Sequence, residues 1–387
     1  MGRDRFRAGA AFFMAVAARD NSRVRAEGTA AKMAAAARPA TPRARGPRSA
    51  IADYPAVLNA VNAVNAMNVI TQHARRRRPG SPAALFGLAC ILMAATFLPA
   101  PVRAQGQPVA VESLDRQRDQ NVLLPSTWWP ASTAAPAPAP ALASALAPAP
   151  APALVLLHGC GGLFDGRHRL AARYTEMAGR LNAMGIHVLV TDSLTPRGEK
   201  ELCTQRTGER RVTQLQRRRD ALGALQWLAR QPGVDPQRLG LLGWSNGGST
   251  VLAATNLNHS EVARAPQQPS LAVAFYPGCA AELQRAYRPA VPLLMLVGEA
   301  DDWTPAADCK ALAATAQSSP GVAAPALEAY VGAYHGFDGT TPLRLRREVP
   351  GGANPGQGVH QGGQPEARAA SALRLEKFLR QHWKLAS

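Results

Sequence analysis

Short apolar runs alternate with amphipathic stretches between residues 153 and 382, and this alternation predicts an α/β protein. The run 153–157 contains no polar residue, as expected for a strand that is buried on both faces of a sheet. Predicted strands lie at 153–157, 186–190, 238–242, 271–276, 293–297 and 327–331. Helical patterns lie at 168–183, 213–230 and 366–382. We therefore predict a mostly parallel, doubly wound sheet flanked by helices.

An Ala/Pro-rich stretch at 131–152 precedes the first of these strands. Its alternating prolines exclude a helix and favour an extended, solvated chain. We expect an exposed linker or loop insertion without catalytic residues, within a folded domain that spans 105–387. Before it, residues 109–111 and 121–124 predict short edge strands.

An apolar run at 83–100 follows four arginines at 75–78, and small residues at Val102 and Ala104 follow the run. A basic segment, an apolar segment and such a cleavage site together are typical of a secretory signal peptide. We therefore predict a signal peptide at 67–104, cleavage after Ala104 and an exported protein, periplasmic or secreted. A membrane anchor is the alternative, but the run is short and Pro99 and Pro101 interrupt its end, so we expect no stable membrane insertion after cleavage.

Residues 1–66 are rich in Ala and Arg and precede the predicted signal peptide. Our hypothesis is that translation starts at Met67, and that residues 1–66 are a non-native or disordered extension. The formal net charge is +18, and most of this excess lies in residues 1–104. The charge of the remaining chain is spread thinly, which argues against a nucleic-acid partner. Its densest cluster, 217–219, lies in a helical pattern and predicts a solvated helix face.

Four cysteines follow the predicted cleavage site: Cys160, Cys203, Cys279 and Cys309. An even number in an oxidising compartment permits two disulfides, and the three possible pairings stay open. The cysteines show no C-x-x-C spacing and no paired histidines accompany them, so we predict neither a metal site nor a cofactor.

The segment Gly243-Trp244-Ser245-Asn246-Gly247 has the G-x-S-x-G pattern of a nucleophile elbow. In such an elbow the serine lies on a strained turn between a strand and a helix, and glycines beside it avoid Cβ clashes. The segment follows a predicted strand and precedes a helical stretch, which is the position that an elbow requires. Ser245 is therefore the predicted nucleophile.

A serine hydroxyl needs a base within hydrogen-bonding reach, and the base needs an acid that orients it. His335 follows the last predicted strand and is the predicted base, with His360 as the reserve candidate. Asp301 lies between Ser245 and His335, in the chain order of α/β hydrolases. Its rival is the adjacent Asp302, but Asp301 fits the pattern G-x-x-D-x-x-x-P that begins at Gly298.

Hydrolysis also needs two backbone donors for the oxyanion of the tetrahedral intermediate. We predict the N–H of Asn246, the residue after the nucleophile, and the N–H of Cys160 in the glycine-rich loop 158–162. His158 is expected to pack beneath this loop as a structural residue. Trp244, Tyr276, Trp303 and the loop 192–203 are expected to line the substrate pocket.

Six ordered motifs resemble the dienelactone hydrolase family of α/β hydrolases. They are His158-Gly-Cys-Gly-Gly, Asp192-Ser-Leu-Thr-Pro-Arg-Gly, Gly243-Trp-Ser-Asn-Gly-Gly, Tyr276-Pro-Gly-Cys, Gly298-Glu-Ala-Asp-Asp-Trp-Thr-Pro and Gly332-Ala-Tyr-His-Gly-Phe. The resemblance implies the α/β-hydrolase fold without a large lid domain, and hydrolysis of an ester or lactone through an acyl-enzyme. By position it implies Ser245 as nucleophile, Asp301 as orienting acid and His335 as base.

Dienelactone hydrolases proper use a cysteine nucleophile and carry a glutamate in the loop that here reads His158-Gly159-Cys160. This chain has Ser245 and lacks that glutamate, so we predict a general carboxylesterase acting on small-molecule esters or lactones. The alternatives are a non-catalytic binding protein on the same fold, or an acyltransferase or peptidase that uses the same triad. The sequence predicts no oligomeric state.

Overall fold

The computed structural model describes residues 106–131 and 149–385. The predicted extension at 1–66, the predicted signal peptide at 67–104 and most of the insertion at 131–152 lie outside these residues. Within the described ranges, no helix combines the length and the apolar composition that crossing a bilayer requires.

An eight-stranded sheet, in the order β1-β2-β4-β3-β5-β6-β7-β8, forms the centre of the fold. The strands are β1 (Gln107–Gln117), β2 (Gln120–Trp129), β3 (Ala151–Leu157), β4 (His187–Thr191), β5 (Val234–Trp244), β6 (Leu271–Phe275), β7 (Leu293–Gly298) and β8 (Ala326–Tyr330). β2 pairs antiparallel with both β1 and β4, and the remaining pairs are parallel. The predicted mostly parallel sheet is therefore confirmed. The antiparallel hairpin of β1 and β2 lies at one side of it.

Helices cover both faces of the sheet. They are α1 (Ala172–Ala183), α2 (Gln214–Ala229), α3 (Asn246–Thr255), α4 (Ser260–Ala263), α5 (Ala280–Gln284), α6 (Ala306–Thr315) and α7 (Pro365–Trp383). α1 and α7 pack into the apolar core on one face, whereas α2, α3 and α6 pack into the core on the other. The α/β-hydrolase fold is confirmed. Within the described residues, no large lid domain is inserted between two strands of the sheet.

The long helix α2 begins at a capping box and carries a buried arginine toward the carboxyl edge of the sheet. The hydroxyl of Thr213 accepts from the N–H of Leu215, and the Gln216 side chain accepts from the N–H of Thr213 at 2.9 Å. Further along, Leu225 is completely buried against the sheet. Arg217 is only 1% exposed and Arg218 only 7%, so the predicted solvated face at 217–219 is wrong. The spacing of the arginines could not show that two of them turn inward.

Two departures from the predicted elements concern strands. β1 and β2 are 11 and 10 residues long rather than short, and β2 lies inside the sheet rather than at its edge. A second sheet of two strands, β9 (Arg344–Arg346) and β10 (Val359–Gln361), was not predicted. These strands have three residues each and are largely polar, so they carry no hydrophobic periodicity.

Candidate active site

Ser245 lies on a sharp turn between β5 and α3, at the carboxyl end of the central strand. Its backbone has φ 55° and ψ −119°, a strained conformation for a residue with a side chain. A Cβ at Gly247 would lie 2.0 Å from the carbonyl oxygen of Leu157, and a Cβ at Gly243 would lie 2.2 Å from that of Gly247. Glycine is therefore required at both positions, and the segment forms the predicted elbow.

The structure brings Ser245, His335 and Asp301 together in one hydrogen-bonded chain. The Nε2 atom of His335 lies 2.8 Å from the Oγ atom of Ser245, and its Nδ1 atom lies 2.8 Å from Oδ2 of Asp301. Asp301 follows β7 and His335 follows β8, so the ends of three parallel strands supply the three side chains. The imidazole is 1% exposed, which protects this arrangement from water.

Further hydrogen bonds fix the orientation of the Asp301 carboxylate. Its Oδ1 atom accepts from the N–H groups of Trp303 at 2.9 Å and Thr304 at 2.8 Å. The hydroxyl oxygen of Thr304 lies 3.0 Å from Oδ2 of the same carboxylate. With Nδ1–H of His335 donating to Asp301, Nε2 is the unprotonated nitrogen that accepts from Ser245. The arrangement can accept the serine proton on Nε2 and hold the resulting imidazolium in place.

The rival residues form a separate pair. The Nδ1 atom of His360 lies 2.7 Å from Oδ2 of Asp302, and the N–H of His360 donates to Oδ1 of the same carboxylate at 2.8 Å. The side chains are 39% and 27% exposed, and neither makes a hydrogen bond with Ser245. Hydrogen bonds therefore link Asp301 through His335 to the serine, whereas Asp302 anchors β10.

The two segments predicted to supply the oxyanion donors lie beside Ser245. Cys160 and Asn246 line the same cavity as the serine. A Cβ built on Gly159 would lie 3.6 Å from Cβ of Ser245, so the loop packs closely on the elbow. His158 is completely buried beneath this loop: its Nε2 atom accepts from the N–H of Ser193 at 3.1 Å, and its Nδ1 atom lies 2.7 Å from the carbonyl oxygen of Gly159. Burial lowers the pKa of His158 well below its usual value, so the ring is neutral near pH 7.

Sequence reasoning missed the hydrogen bonds that Arg217 makes in this region. Its guanidinium donates to the carbonyl oxygen of His158 at 2.6 Å and to the side-chain oxygen of Asn246. Burial lowers the pKa of Arg217 to about 10, which leaves the group protonated near pH 7.

Two disulfides resolve the pairing that the sequence left open. Cys160 is bonded to Cys203, and Cys279 is bonded to Cys309. The first disulfide lines the cavity beside the serine, whereas the cysteines of the second are at most 1% exposed. Among the described residues, no three His, Cys, Asp or Glu side chains are grouped so that they could hold a metal ion.

A cavity of about 670 Å³ opens above Ser245. Its walls come from three regions of the chain: the loop before α2, the ends of the central strands, and the loop between β9 and β10. They comprise Cys160, Cys203, Gln205, Arg206, Thr207, Arg210, Ser245, Asn246, Ser249, Gly278, Trp303, Thr304, Val349, Pro350, Gly351, Gly352, Pro355 and Gly356. Trp303 thus lines the pocket, as expected, and its ring centre lies 4.5 Å from that of His335. Of the predicted loop 192–203, only Cys203 reaches the cavity.

The predictions that Trp244 and Tyr276 line the pocket are wrong. Trp244 and Tyr276 are 2% and 3% exposed, and both side chains bond the partly buried carboxylate of Asp338. The indole Nε1–H of Trp244 donates to it at 2.8 Å and the hydroxyl of Tyr276 donates at 2.7 Å, while Arg173 forms an ion pair with it. The polar group of each aromatic side chain is thus hydrogen-bonded to this partly buried acceptor and does not face the cavity. No sequence signal indicated this cluster, which contacts the triad through Tyr276, whose ring centre lies 4.6 Å from that of His335.

Comparisons with known proteins identify the family of this chain. The sequence model of the dienelactone hydrolase family matches residues 140–381. A Klebsiella pneumoniae protein named as a dienelactone hydrolase matches with a TM-score of 0.48 and 16% sequence identity, covering 72% of this chain and 99% of that chain. Esterase 2 of Thermogutta terrifontis, solved with propionate bound, also has a TM-score of 0.48 and 16% identity, over 75% of this chain and 98% of its own. No curated protein matches this chain. Since the family's sequence model covers well over half of the residues, the chain belongs to the dienelactone hydrolase family, a family of hydrolases.

Proposed function

We propose that this protein is a serine hydrolase that cleaves carboxylic ester or lactone bonds of small molecules through an acyl-enzyme. The observation that carries the proposal is the unbroken chain from Asp301 through His335 to Ser245, with both contacts at 2.8 Å and the serine open to a cavity. A buried carboxylate, an imidazole and a strained serine in this order match the requirements of nucleophilic catalysis.

In the proposed first step, the Oγ atom of Ser245 attacks the substrate carbonyl carbon while Nε2 of His335 takes the hydroxyl proton. The imidazolium then returns this proton to the leaving alkoxide as the carbon–oxygen bond breaks, which leaves an acyl group on Ser245. In the second step a water molecule attacks the acyl carbon while Nε2 of His335 takes one of its protons. The bond between this carbon and Oγ then breaks, the imidazolium returns the proton to Ser245, and the carboxylic acid leaves. Asp301 stabilises the imidazolium in both steps and keeps Nε2 directed at the serine.

The negative oxygen of each tetrahedral intermediate is proposed to accept from the N–H groups of Cys160 and Asn246. Preorganised backbone donors of this kind stabilise charge that develops only in the transition state. Both residues border the cavity at Ser245, and the loop that carries Cys160 packs on the elbow. No cofactor is needed for this chemistry, because the serine is activated by the histidine alone.

We also propose that the protein works outside the cytoplasm, in the periplasm or as a secreted protein. The predicted signal peptide at 67–104 motivates this proposal. The two disulfides support it, because such bonds form and persist mainly in oxidising compartments.

The test of the enzymatic proposal is hydrolysis of p-nitrophenyl acetate and p-nitrophenyl butyrate by the purified protein. We expect turnover that Ser245→Ala abolishes. A matched control is Ser371→Ala, which removes a buried hydroxyl in α7 whose hydrogen bond is to the carbonyl oxygen of Arg368. Equal turnover by the wild type and Ser245→Ala, or none by either, would contradict the proposal.

A further inference from the structure

Arg217 is a buried arginine whose side chain ends between two functional loops. It lies in the first turns of α2, is 1% exposed and donates from both terminal nitrogens. One nitrogen bonds the carbonyl oxygen of His158 at 2.6 Å, and the other bonds the side-chain oxygen of Asn246. A planar guanidinium fixes the relative position of two acceptors in a way that a single-point donor cannot.

The two acceptors belong to the segments that border the serine hydroxyl. His158 lies two residues before Cys160, and Asn246 directly follows Ser245. These segments come from the ends of neighbouring parallel strands, β3 and β5. The loop also approaches the elbow directly. A Cβ built on Gly159 would lie 3.6 Å from that of Ser245, and one built on Gly247 would lie 2.6 Å from the carbonyl oxygen of His158. The guanidinium therefore bridges the two halves of the proposed oxyanion hole from the buried side.

Among the described residues, no carboxylate lies within 4.0 Å of the Arg217 guanidinium. Asp220, one turn further along the same helix, acts on this charge from a longer distance. That carboxylate is bound by Arg197 at 2.7 and 2.9 Å and by the hydroxyl of Ser113. Burying an unpaired charge is costly, and such groups are concentrated at functional sites. Here the charge lies against the two segments that carry the proposed oxyanion donors.

We propose that Arg217 is a positioning residue of the oxyanion hole. By bonding both segments, its guanidinium sets the spacing between the N–H donors of Cys160 and Asn246. Its positive charge stabilises the oxyanion. The inference rests on the proposed hydrolase function and deepens it.

The neighbouring Arg218 provides a matched control on the same helix. It is also buried, at 7% exposure, but its guanidinium is paired with Glu261 at 2.7 Å and contacts His259. It therefore has a similar size, burial and helical position without a contact to the serine loops. Substituting it removes an arginine from the core of α2 and leaves the proposed oxyanion hole intact.

The experiment compares Arg217→Met, Arg217→Lys and Arg218→Met in the full protein with p-nitrophenyl butyrate. We expect Arg217→Met to lower kcat by about 100-fold with KM nearly unchanged, since one lost oxyanion contact has an effect of this size and acts on the transition state. Arg217→Lys retains the charge, so its kcat should be about tenfold higher than that of Arg217→Met. Arg218→Met should keep kcat near that of the wild type. The affinity of Arg217→Met for a boronic acid, which forms a tetrahedral adduct on Ser245, should fall in parallel with kcat.

The inference is overturned if folded Arg217→Met has the kcat of Arg218→Met, or if its defect lies in KM alone. Where Arg217→Met does not fold, Arg217→Lys and Asn246→Ala decide the matter, because each removes one part of the bridge. A combined Arg217→Lys/Asn246→Ala variant should then lose less than the product of the two single losses, and a loss equal to that product would also overturn the inference. Failure of the hydrolase proposal is recognised separately, by wild-type turnover that does not depend on Ser245.

Discussion

The carboxylate of Asp302 holds the imidazole of His360 at 2.7 Å, just as the adjacent Asp301 holds His335 at 2.8 Å. Consecutive residues after β7 thus orient two different histidines. Of the two histidines, His335 contacts Ser245. His360 lies on β10, and the carbonyl oxygen of Asp302 accepts from the N–H of Ala353 in the loop of the same hairpin. One acid is therefore proposed to serve the chemistry, whereas the other anchors a wall of the cavity.

This division predicts different kinetic effects for two isosteric substitutions. Asp301→Asn should lower kcat by about 10³- to 10⁴-fold, because the amide favours the wrong tautomer and does not stabilise the imidazolium. Asp302→Asn should instead raise KM by several-fold with kcat largely retained, since it loosens the hairpin that borders the substrate. Steady-state kinetics on p-nitrophenyl butyrate measure both effects. A larger loss of kcat in Asp302→Asn than in Asp301→Asn would reverse the assignment.

The disulfide between Cys160 and Cys203 ties the proposed oxyanion loop to the loop that follows β4. A double substitution, Cys160→Ser/Cys203→Ser, should lower kcat by about 10- to 100-fold, because small displacements of catalytic groups have effects of this size. The backbone bond from the N–H of Leu202 to the carbonyl oxygen of Cys160, 2.7 Å long, should limit the loss. The melting temperature should fall as well.

The buried disulfide supplies the control for this prediction. Cys279→Ser/Cys309→Ser removes a bond of similar loop length, with a sequence separation of 30 against 43, away from the oxyanion loop. It should lower the melting temperature with a much smaller effect on kcat. If both double substitutions reduce kcat equally, the first disulfide has no special role in positioning the loop.

The cavity walls carry positive charge. Arg206 and Arg210 line the cavity, and no acidic residue lines it among the described residues. Esters that bear a carboxylate on the acyl chain should therefore have a lower KM than neutral esters of equal length. Arg206→Gln should raise KM for a p-nitrophenyl succinate monoester by about two- to fivefold, the effect of one exposed charge pair. KM for p-nitrophenyl butyrate should not change, and added salt should reduce the difference. An equal change for the neutral ester would exclude a charge effect.

Burial of His158 predicts a loss of stability in acid. The folded protein holds the pKa of this ring well below 6.5, its ordinary value, whereas the unfolded chain takes up a proton near that pH. The free energy of unfolding should therefore fall as the pH drops below about 6.5, with His158 contributing up to about 1.4 kcal/mol per pH unit. Urea unfolding between about pH 5 and pH 7.5 should show a shallower slope for His158→Gln than for the wild type. Identical slopes would mean that His158 is protonated equally in both states.

Hydrophobic runs and chain order were sufficient to predict most of the fold and the three side chains that the structure brings together at Ser245. The central strands are buried on both faces, so their sequences carry an uninterrupted apolar signal, as in 153–157. The elbow could be predicted because a Cβ atom at Gly243 or Gly247 would clash with nearby backbone atoms, so glycine is required at both positions. The sites of Asp301 and His335 could be predicted because parallel strands end at one edge of the sheet.

The features that could not be predicted depend on long-range packing. Arg217 and Arg219 lie two residues apart on the same helix, yet the first is buried under the serine loops and the second pairs with Glu261 at 2.7 Å near the surface. Trp244 was expected to line the pocket, but its side chain packs in the hydrophobic core, because neighbouring residues of a strand point to opposite faces. The hairpin between β9 and β10 gave no periodic signal, although its loop forms one side of the cavity.

The most direct test of the account is to look for the acyl-enzyme itself. The protein is mixed with excess p-nitrophenyl butyrate, quenched in acid within the first turnovers and digested for peptide mass spectrometry, with Ser245→Ala treated in the same way. The account predicts a butyryl group on the hydroxyl of Ser245 in the wild type, a burst of p-nitrophenol, and neither signal in Ser245→Ala. Steady hydrolysis without a burst, with no acyl group on Ser245 and with the same rate in Ser245→Ala, would contradict it.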